Sequence, residues 1–179
     1  TEYAYYSAYS TAWVEHARQY VEMISERLAL GSDDLVVELA SNDGYLLQHF
    51  VGTGIPILGI DPAANVAKAA EERGVPTLVD FFGRATAQAL VDGGKRASLI
   101  AGNNVLAQVP DLNDFVAGVQ ILLRDDGTAT FEFPHLLRLL DGLQYDTIYH
   151  EHFSYFSLGT TAEIFRAHGL EVYDVEELW

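Results

Sequence analysis

The chain has 179 residues, of which 49% are hydrophobic and 20% are charged, as in a globular protein of one domain. With 26 acidic residues against 10 basic ones and no run of Lys or Arg, its formal charge of −16 argues against nucleic-acid binding. No apolar stretch reaches the ~20 residues of a membrane span, and no signal peptide opens the sequence. The absence of cysteine excludes disulfides and thiolate zinc sites within these residues, and we expect a cytoplasmic protein.

Residues 1–30 predict an aromatic-rich helical segment. Ring side chains recur at spacings of three and four, which puts them on one helix face: Tyr6, Tyr9, Trp13, His16 and Tyr20. Apolar positions continue to Leu28, and Gly31 predicts the end of the helix. Such a face usually packs on a core. The alternative is that the first tyrosines cover a ligand site or contact another part of the protein.

From residue 35 onward, short apolar runs alternate with helical patterns. We predict strands near residues 35–39, 57–60, 77–79, 98–101, 128–133 and 172–178, and helices near residues 44–50, 62–73, 85–91, 112–122 and 160–168. Pro62 and Asp111 are favourable residues for two of the helix starts. This alternation predicts an α/β fold, a Rossmann-like, doubly wound and mostly parallel sheet with helices on both faces, in one domain of residues 1–179.

Ligands of such sheets bind beyond the carboxyl ends of the strands. Small, turn-forming residues 40–44 follow the first strand, and Asp61 follows the second, where an acid can accept both ribose hydroxyls. A dinucleotide needs the glycine spacing G-x-G-x-x-G, of which only Gly44 is present. The carboxylates of Glu38, Asp43 and Asp61 repel a diphosphate but suit the cationic sulfonium and ammonium groups of S-adenosylmethionine. The alternative for Asp43 is a turn residue and helix cap.

Residues after the later strands extend this predicted site. Phe82 follows the third strand, where an aromatic ring can hold adenine, although it fits an ordinary core position equally well. Asn103 and Asn104 follow the fourth strand, where polar groups can reach the amino-acid part of the donor. The predicted S-adenosylmethionine site comprises Glu38, Ala40, Asn42, Asp43, Gly44, Asp61, Pro62, Phe82, Asn103 and Asn104.

Four segments resemble the sugar C-methyltransferases of deoxysugar biosynthesis. They are residues 38–46 (ELASNDGYL), 59–62 (GIDP), 104–107 (NVLA) and 146–155 (DTIYHEHFSY). The first is common to many methyltransferases, whereas the last is highly specific. The sequence departs from the family at Gln108, where His is expected, and at Asp61, where Glu is common. The resemblance covers essentially the whole chain and implies a class I methyltransferase fold.

The resemblance also implies partners. Members of that family carry an N-terminal zinc-binding domain and a C-terminal domain that helps to hold a nucleotide sugar. We therefore expect this chain to be the central domain of a longer protein, cut near its C-terminal strand, and to act on a small nucleotide-linked sugar. Neither a nucleic acid nor a membrane is expected as a partner.

The implied reaction is methylation of the carbon beside the ketone of a nucleoside-diphosphate 4-keto-deoxysugar. The resemblance places Tyr149, Glu151 and His152 in the sugar site, with His152 as the base that forms an enolate. Histidine exchanges protons near neutral pH, a carboxylate such as Glu151 can orient it, and Tyr149 can donate a hydrogen bond to the enolate oxygen. Further predicted acceptor-binding residues are Tyr3, Glu132 and His150.

A regular strand over residues 149–152 would separate these side chains onto two faces, so we predict an irregular loop there. The His-x-His spacing also resembles metal ligation, but only His135 and Asp146 are plausible additional ligands, and we expect no metal. Two other functions stay open. One is an O- or N-methyltransferase of another small metabolite, and the other is a donor-binding module that is inactive without further domains.

Overall fold

The computed structural model describes residues 2–178, so the ends of the predicted domain, Thr1 and Trp179, lie outside the described residues. Five strands form one all-parallel sheet in the order β3-β2-β1-β4-β5. The strands are β1 (Val36–Leu39), β2 (Ile57–Ile60), β3 (Thr77–Leu78), β4 (Ala97–Asn103) and β5 (Leu123–Glu132). The helices are α1 (Thr11–Leu28), α2 (Ala64–Glu72), α3 (Arg84–Asp92), α4 (Leu112–Leu122), α5 (Leu136–Asp141) and α6 (Leu158–Ala167).

Helices cover both faces of the sheet, because alternate residues of the buried central strands point to opposite sides. On one face, strand residues Val36 and Leu99 pack in a cluster with α1 and α2, which contribute Ala17, Val21, Ile24 and Ala70. On the other face, Val37 and Ile100 pack with α3, α4 and α6, which contribute Ala87, Phe115, Val119 and Phe165. The predicted α/β fold with a doubly wound parallel sheet is confirmed.

Two predicted helices differ from the structure, one at both of its ends and the other in its type. The Ser10 side chain accepts a hydrogen bond from the Trp13 amide, so α1 begins at Thr11 and leaves Tyr6 and Tyr9 outside it. At the other end, Ala29 takes the left-handed conformation, two residues before the expected stop at Gly31. The helix predicted to end at Phe50 is a single 3-10 turn, Leu47–Phe50.

The predicted strand over residues 172–178 was wrong, because none of these residues pairs with a strand in the described structure. Polar side chains hold this segment instead. Tyr173 Oη lies 3.0 Å from Thr128 Oγ1, Arg27 pairs with Asp174 at 2.7 Å, and the side chains of Arg138 and Glu177 form an ion pair. An alternating pattern makes a strand only where a sheet edge pairs with it, and the pattern does not reveal that edge.

The carboxyl ends of the strands form the edge where predicted ligand-binding residues collect. The Phe153 amide donates to the Ala107 carbonyl at 2.8 Å, which docks the segment before α6 beside the end of β4. Gly59 allows the loop after β1 to approach β2, since a Cβ at this position would lie 2.5 Å from Ser41 Oγ. None of the helices within residues 2–178 combines the length and the apolar composition of a membrane-spanning segment.

Candidate functional site

The loop after β1 is curled by residues in the left-handed region of backbone space. Ala40, Asn42 and Gly44 have φ angles of 55°, 48° and 77°. A side chain at Gly44 would also press on α2, because its Cβ would lie 3.3 Å from Ala70 Cα. Left-handed residues other than glycine carry strain that proteins commonly retain at ligand sites. Because these residues bend the chain away from helical geometry, the loop leads into a short 3-10 turn, and the helix predicted near residues 44–50 does not form.

Asp61 and Glu38 are buried carboxylates beside this loop. Asp61 is 6% exposed and accepts hydrogen bonds from the amides of Asn42 at 2.9 Å and Ala63 at 2.8 Å. Burial raises the pKa of Asp61, and these two amides oppose the rise. Glu38 is 1% exposed, and its carboxylate lies close to the donor groups of Tyr45 and Leu47 without completing a hydrogen bond to either in the described structure. Burial raises its pKa well above the usual range, Tyr45 and Leu47 oppose the rise, and the charges of Asp61 and Asp43 add to it.

Asp43 is satisfied by groups of the chain itself. Its carboxylate lies 3.2 Å from Arg73 Nη1 and accepts a hydrogen bond from the Ala8 amide at 3.2 Å. Arg73 also donates to the Asp43 carbonyl at 2.6 Å. These contacts match the turn-residue alternative for Asp43. Of the three carboxylates, Glu38 and Asp61 therefore remain as candidates to meet a cationic ligand.

Residues 3–8, which we call the N-terminal strap, lie over the loop after β1. The Ser7 amide donates to Asn42 Oδ1 at 3.0 Å, and Asn42 Nδ2 donates to the Tyr5 carbonyl at 3.1 Å. Nearer the N-terminus, Tyr3 and Asn65 exchange two hydrogen bonds. This placement favours the alternative in which the first tyrosines cover a ligand site.

Residues 149–154 form the irregular loop that we predicted, with neither helix nor strand. His152 Nδ1 lies 2.8 Å from the Thr147 carbonyl oxygen. Because a carbonyl only accepts, Nδ1 carries the proton, and Nε2 of the neutral ring keeps its lone pair. The ring of Tyr149 lies beside that of His152, with 4.4 Å between the centroids. This arrangement suits a general base with a hydrogen-bond donor next to it.

The structure corrects the expected partner of His152. We expected a carboxylate such as Glu151 to orient the ring, but the Thr147 carbonyl does so, and Glu151 accepts a hydrogen bond from the Tyr3 hydroxyl at 3.4 Å. The side chain of His150 is 87% exposed, and its Nε2 lies 3.9 Å from Glu151 Oε1. Among residues 2–178, no three His, Cys, Asp or Glu side chains are grouped as metal ligands.

Comparison with known proteins identifies the family. A family model described as a methyltransferase domain matches residues 13–175. The chain belongs to this methyltransferase domain family. The domain is 40% identical over 173 residues to the C-methyltransferase NovU of Streptomyces niveus, a match that covers 97% of this chain and 41% of NovU.

Solved structures show the same fold. The methyltransferase domain is similar to an S-adenosylmethionine-dependent methyltransferase from Archaeoglobus fulgidus, with a TM-score of 0.67 and 15% identity over 85% of this chain and 68% of that chain. It is also similar to the glycopeptide N-methyltransferase MtfA complexed with S-adenosylmethionine, with a TM-score of 0.52 and 15% identity over 73% of this chain and 55% of that chain. S-adenosylmethionine is the cofactor of the methyltransferase domain.

The carboxyl ends of β1 and β4 fit this cofactor. Buried polar atoms without a hydrogen-bond partner in residues 2–178 occur there on Glu38, Ser41 and Asn103. Such atoms are costly unless something pairs with them, and a donor that carries a cationic sulfur and an ammonium group suits a carboxylate. Asp61 lies at the carboxyl end of β2, where ribose hydroxyls are usually held in such folds.

Other predicted cofactor residues have mixed surroundings. Phe82 packs edge-on against Phe115, at a centroid distance of 5.5 Å within the core cluster, which matches the alternative of an ordinary core residue. Asn104 is exposed and left-handed, with a φ of 54°, and its amide donates to the Glu132 carbonyl at 2.7 Å. Pro62 is partly buried, two residues before α2.

The methyltransferase domain contains polar contacts that sequence reasoning missed. The sequence pattern places His16 only on the aromatic helix face, yet its Nε2 lies 2.7 Å from Glu132 Oε2 at the end of β5. The Trp13 ring stacks on His16 and also on Tyr45, at centroid distances of 5.0 and 5.9 Å. The predicted acceptor residue Glu132 is thus tied to α1. His16 and Glu132 are 116 positions apart, so no local pattern signals the pair.

Replacing Glu38 with glutamine should remove a pH-dependent contribution to folding. The pKa of Glu38 is raised in the folded domain, so the folded state holds this proton more tightly than the unfolded state. Its contribution to stability is therefore complete below about pH 4.3, the usual pKa of Glu, and declines as the pH rises towards the folded pKa.

Urea unfolding without cofactor at several pH values from 4 to 8 measures this effect. The free energy of unfolding of the wild type relative to E38Q should fall as the pH rises. The exposed Glu163 on α6 provides the control variant E163Q, which should follow the wild type. If the difference in the free energy of unfolding between the wild type and E38Q is constant with pH, the raised pKa of Glu38 is contradicted.

Proposed function

We propose that the methyltransferase domain methylates the carbon beside the ketone of a nucleoside-diphosphate 4-keto-deoxysugar, through an enolate. The observation that carries this proposal is the geometry of His152, whose Nδ1 is held by the Thr147 carbonyl at 2.8 Å. This leaves Nε2 as a base, with the Tyr149 ring beside it. The relative NovU, named as a C-methyltransferase, supports transfer to carbon.

In this proposal, His152 Nε2 takes the proton from the carbon beside the ketone. The electron pair of the broken C–H bond forms the enolate, and the Tyr149 hydroxyl donates a hydrogen bond to its oxygen. Burial raises the pKa of Tyr149, and the charge of Glu151 adds to the rise, so the phenol keeps its proton near neutral pH. S-adenosylmethionine, held by Glu38 and Asp61, would supply an electrophilic methyl group to the enolate carbon, with neutral S-adenosylhomocysteine as the leaving thioether.

Tyr3 and Glu151 line the acceptor site in this proposal. Burial raises the pKa of Tyr3 to about 12, with Glu151 as the next cause, so its hydroxyl remains a donor. Among the predicted cofactor residues, Glu38 and Asp61 are the principal ones in this proposal. The domain has only 10 basic residues, and we propose that a further part of the protein holds the acceptor diphosphate.

A second candidate is a donor-binding domain that does not transfer methyl groups alone. The chain spans 41% of the length of NovU, so the remainder of such a protein has room to supply acceptor-binding groups. Methylation of oxygen or nitrogen is a further alternative, since MtfA, which shares the fold, is named as an N-methyltransferase. Such acceptors carry their own lone pair and need no carbon acid.

Proton exchange at the acceptor tests the enolate directly. The full-length protein is incubated in deuterated water with a thymidine-diphosphate 4-keto-6-deoxyhexose and S-adenosylhomocysteine, and the proton beside the ketone is followed by NMR. We expect exchange with the wild type and none with H152A. Equal exchange rates for the two proteins would contradict the role of His152. The absence of exchange in both would favour the oxygen or nitrogen alternative.

A further inference from the structure

The N-terminal strap is anchored along its length by side chains of the cofactor side of the domain. Asn42 binds the strap at the Ser7 amide and the Tyr5 carbonyl, and the Asp43 carboxylate accepts from the Ala8 amide. The backbone of the strap thus forms hydrogen bonds with side chains of the loop after β1. A change that orders this loop therefore also orders the strap.

Asn65 on α2 anchors the other end of the strap. Its Oδ1 accepts from the Tyr3 amide at 2.9 Å, and its Nδ2 donates to the Tyr3 carbonyl at 2.7 Å. The same Nδ2 also donates to the Tyr6 hydroxyl at 3.1 Å. A primary amide that meets both backbone groups of one residue fixes the position and direction of that residue. Asn65 therefore determines where the Tyr3 ring lies.

The Tyr3 side chain then reaches the proposed acceptor loop. Its hydroxyl donates to Glu151 Oε2 at 3.4 Å, and the charge of Asp61 also contributes to the raised pKa of Tyr3. Asp61 in turn accepts from the Asn42 amide at 2.9 Å. Continuous hydrogen bonds thus lead from Asp61 through Asn42 and the strap to Glu151.

We propose that Asn65 is a positioning residue that couples the two sites. It holds Tyr3 against Glu151, so that donor binding at Asp61 and the loop after β1 also orders the loop of residues 149–154. The proposal rests on the proposed function in treating that loop as the acceptor site. Coupling of this kind is reciprocal, and an ordered acceptor loop also tightens donor binding.

Amide hydrogen exchange on the full-length protein, with and without S-adenosylhomocysteine, tests this coupling without an acceptor. In the wild type, we expect the ligand to slow exchange both at residues 40–44 and at residues 149–154, the latter by about 5-fold or more, the lower end of typical coupling. In N65A, the slowing at residues 40–44 should remain, and that at residues 149–154 should disappear. The exposed Lys68 on the same helix gives the control variant K68A, which should behave as the wild type.

Y3F is a second variant, which leaves the pair between Asn65 and the Tyr3 backbone intact and removes only the hydroxyl that meets Glu151. We expect it to lose the slowing at residues 149–154 while residues 3–8 stay protected. Slowing of the acceptor loop by the ligand in N65A as in the wild type, or no slowing in the wild type, would overturn the proposal. Because no acceptor is present, these results are independent of whether carbon is the atom methylated.

Discussion

Replacing His152 with alanine is expected to lower kcat by about 10²- to 10⁴-fold, the usual contribution of a positioned base. The variant loses the ring that we propose takes the acceptor proton, whereas the groups around Glu38 and Asp61 stay in place. Affinity for S-adenosylhomocysteine should therefore remain within about 3-fold of wild type, which corresponds to a change of less than about 1 kcal/mol in its binding free energy. Initial rates with S-adenosylmethionine and the keto sugar, together with calorimetric titration of S-adenosylhomocysteine, measure both quantities.

His168 offers a matched control for this experiment. It is half-buried like His152, and its Nδ1 likewise contacts a backbone carbonyl, that of Ile164 at 2.9 Å. It lies at the end of α6, outside the proposed site. H168A should keep the wild-type rate, so loss of a histidine hydrogen bond alone does not explain the effect. A rate for H152A within a few-fold of wild type would remove His152 as the base.

Replacing Asp61 with alanine is expected to weaken S-adenosylmethionine binding by about 10- to 150-fold. A hydrogen bond to a charged group contributes about 1.5–3 kcal/mol, and the proposed site includes at least one such bond from the ribose to Asp61. The amides of Asn42 and Ala63 also lose their acceptor, which loosens the loop after β1. Titration of the variant with S-adenosylhomocysteine measures the loss, and kcat at saturating donor should change less than the affinity does.

Asp34 provides the matched control for Asp61. It precedes β1 at the opposite edge of the sheet, where its carboxylate accepts from the Gly31 amide at 2.9 Å and from Arg124 at 3.2 Å. D34A therefore also removes a carboxylate with two hydrogen bonds, but away from the proposed site. We expect it to bind the donor with wild-type affinity. Equal affinities for D61A and the wild type would exclude Asp61 from the cofactor site.

The parts of the site that follow strands were predictable from sequence. A buried apolar run ahead of small polar residues indicated β1 and its loop, and parallel strands necessarily bring the groups after them to one edge. Asp61 and the loop of residues 40–44 therefore lie together, as expected. The irregular conformation of residues 149–154 was also predictable, since a strand would have separated Tyr149 from His152.

The contacts that orient these groups were not predictable. Tyr3 and Asn65 lie 62 positions apart, and amide pairing with backbone leaves no pattern in either segment. The acceptor for His152 is the Thr147 carbonyl, a group that every residue carries, so side-chain chemistry suggested Glu151 instead. The strand expected over residues 172–178 shows the same limit, because an alternating sequence pattern does not reveal which strand, if any, would pair with it.

The product formed from S-adenosylmethionine labelled with ¹³C in its methyl group tests the central claim most directly. The full-length protein is supplied with the labelled donor and the thymidine-diphosphate keto sugar, and the product is examined by ¹H–¹³C NMR. We predict a methyl signal at the shift of a methyl group on carbon. Its protons should show a long-range correlation to the carbon beside the ketone. A labelled methyl group on oxygen or nitrogen would contradict the account.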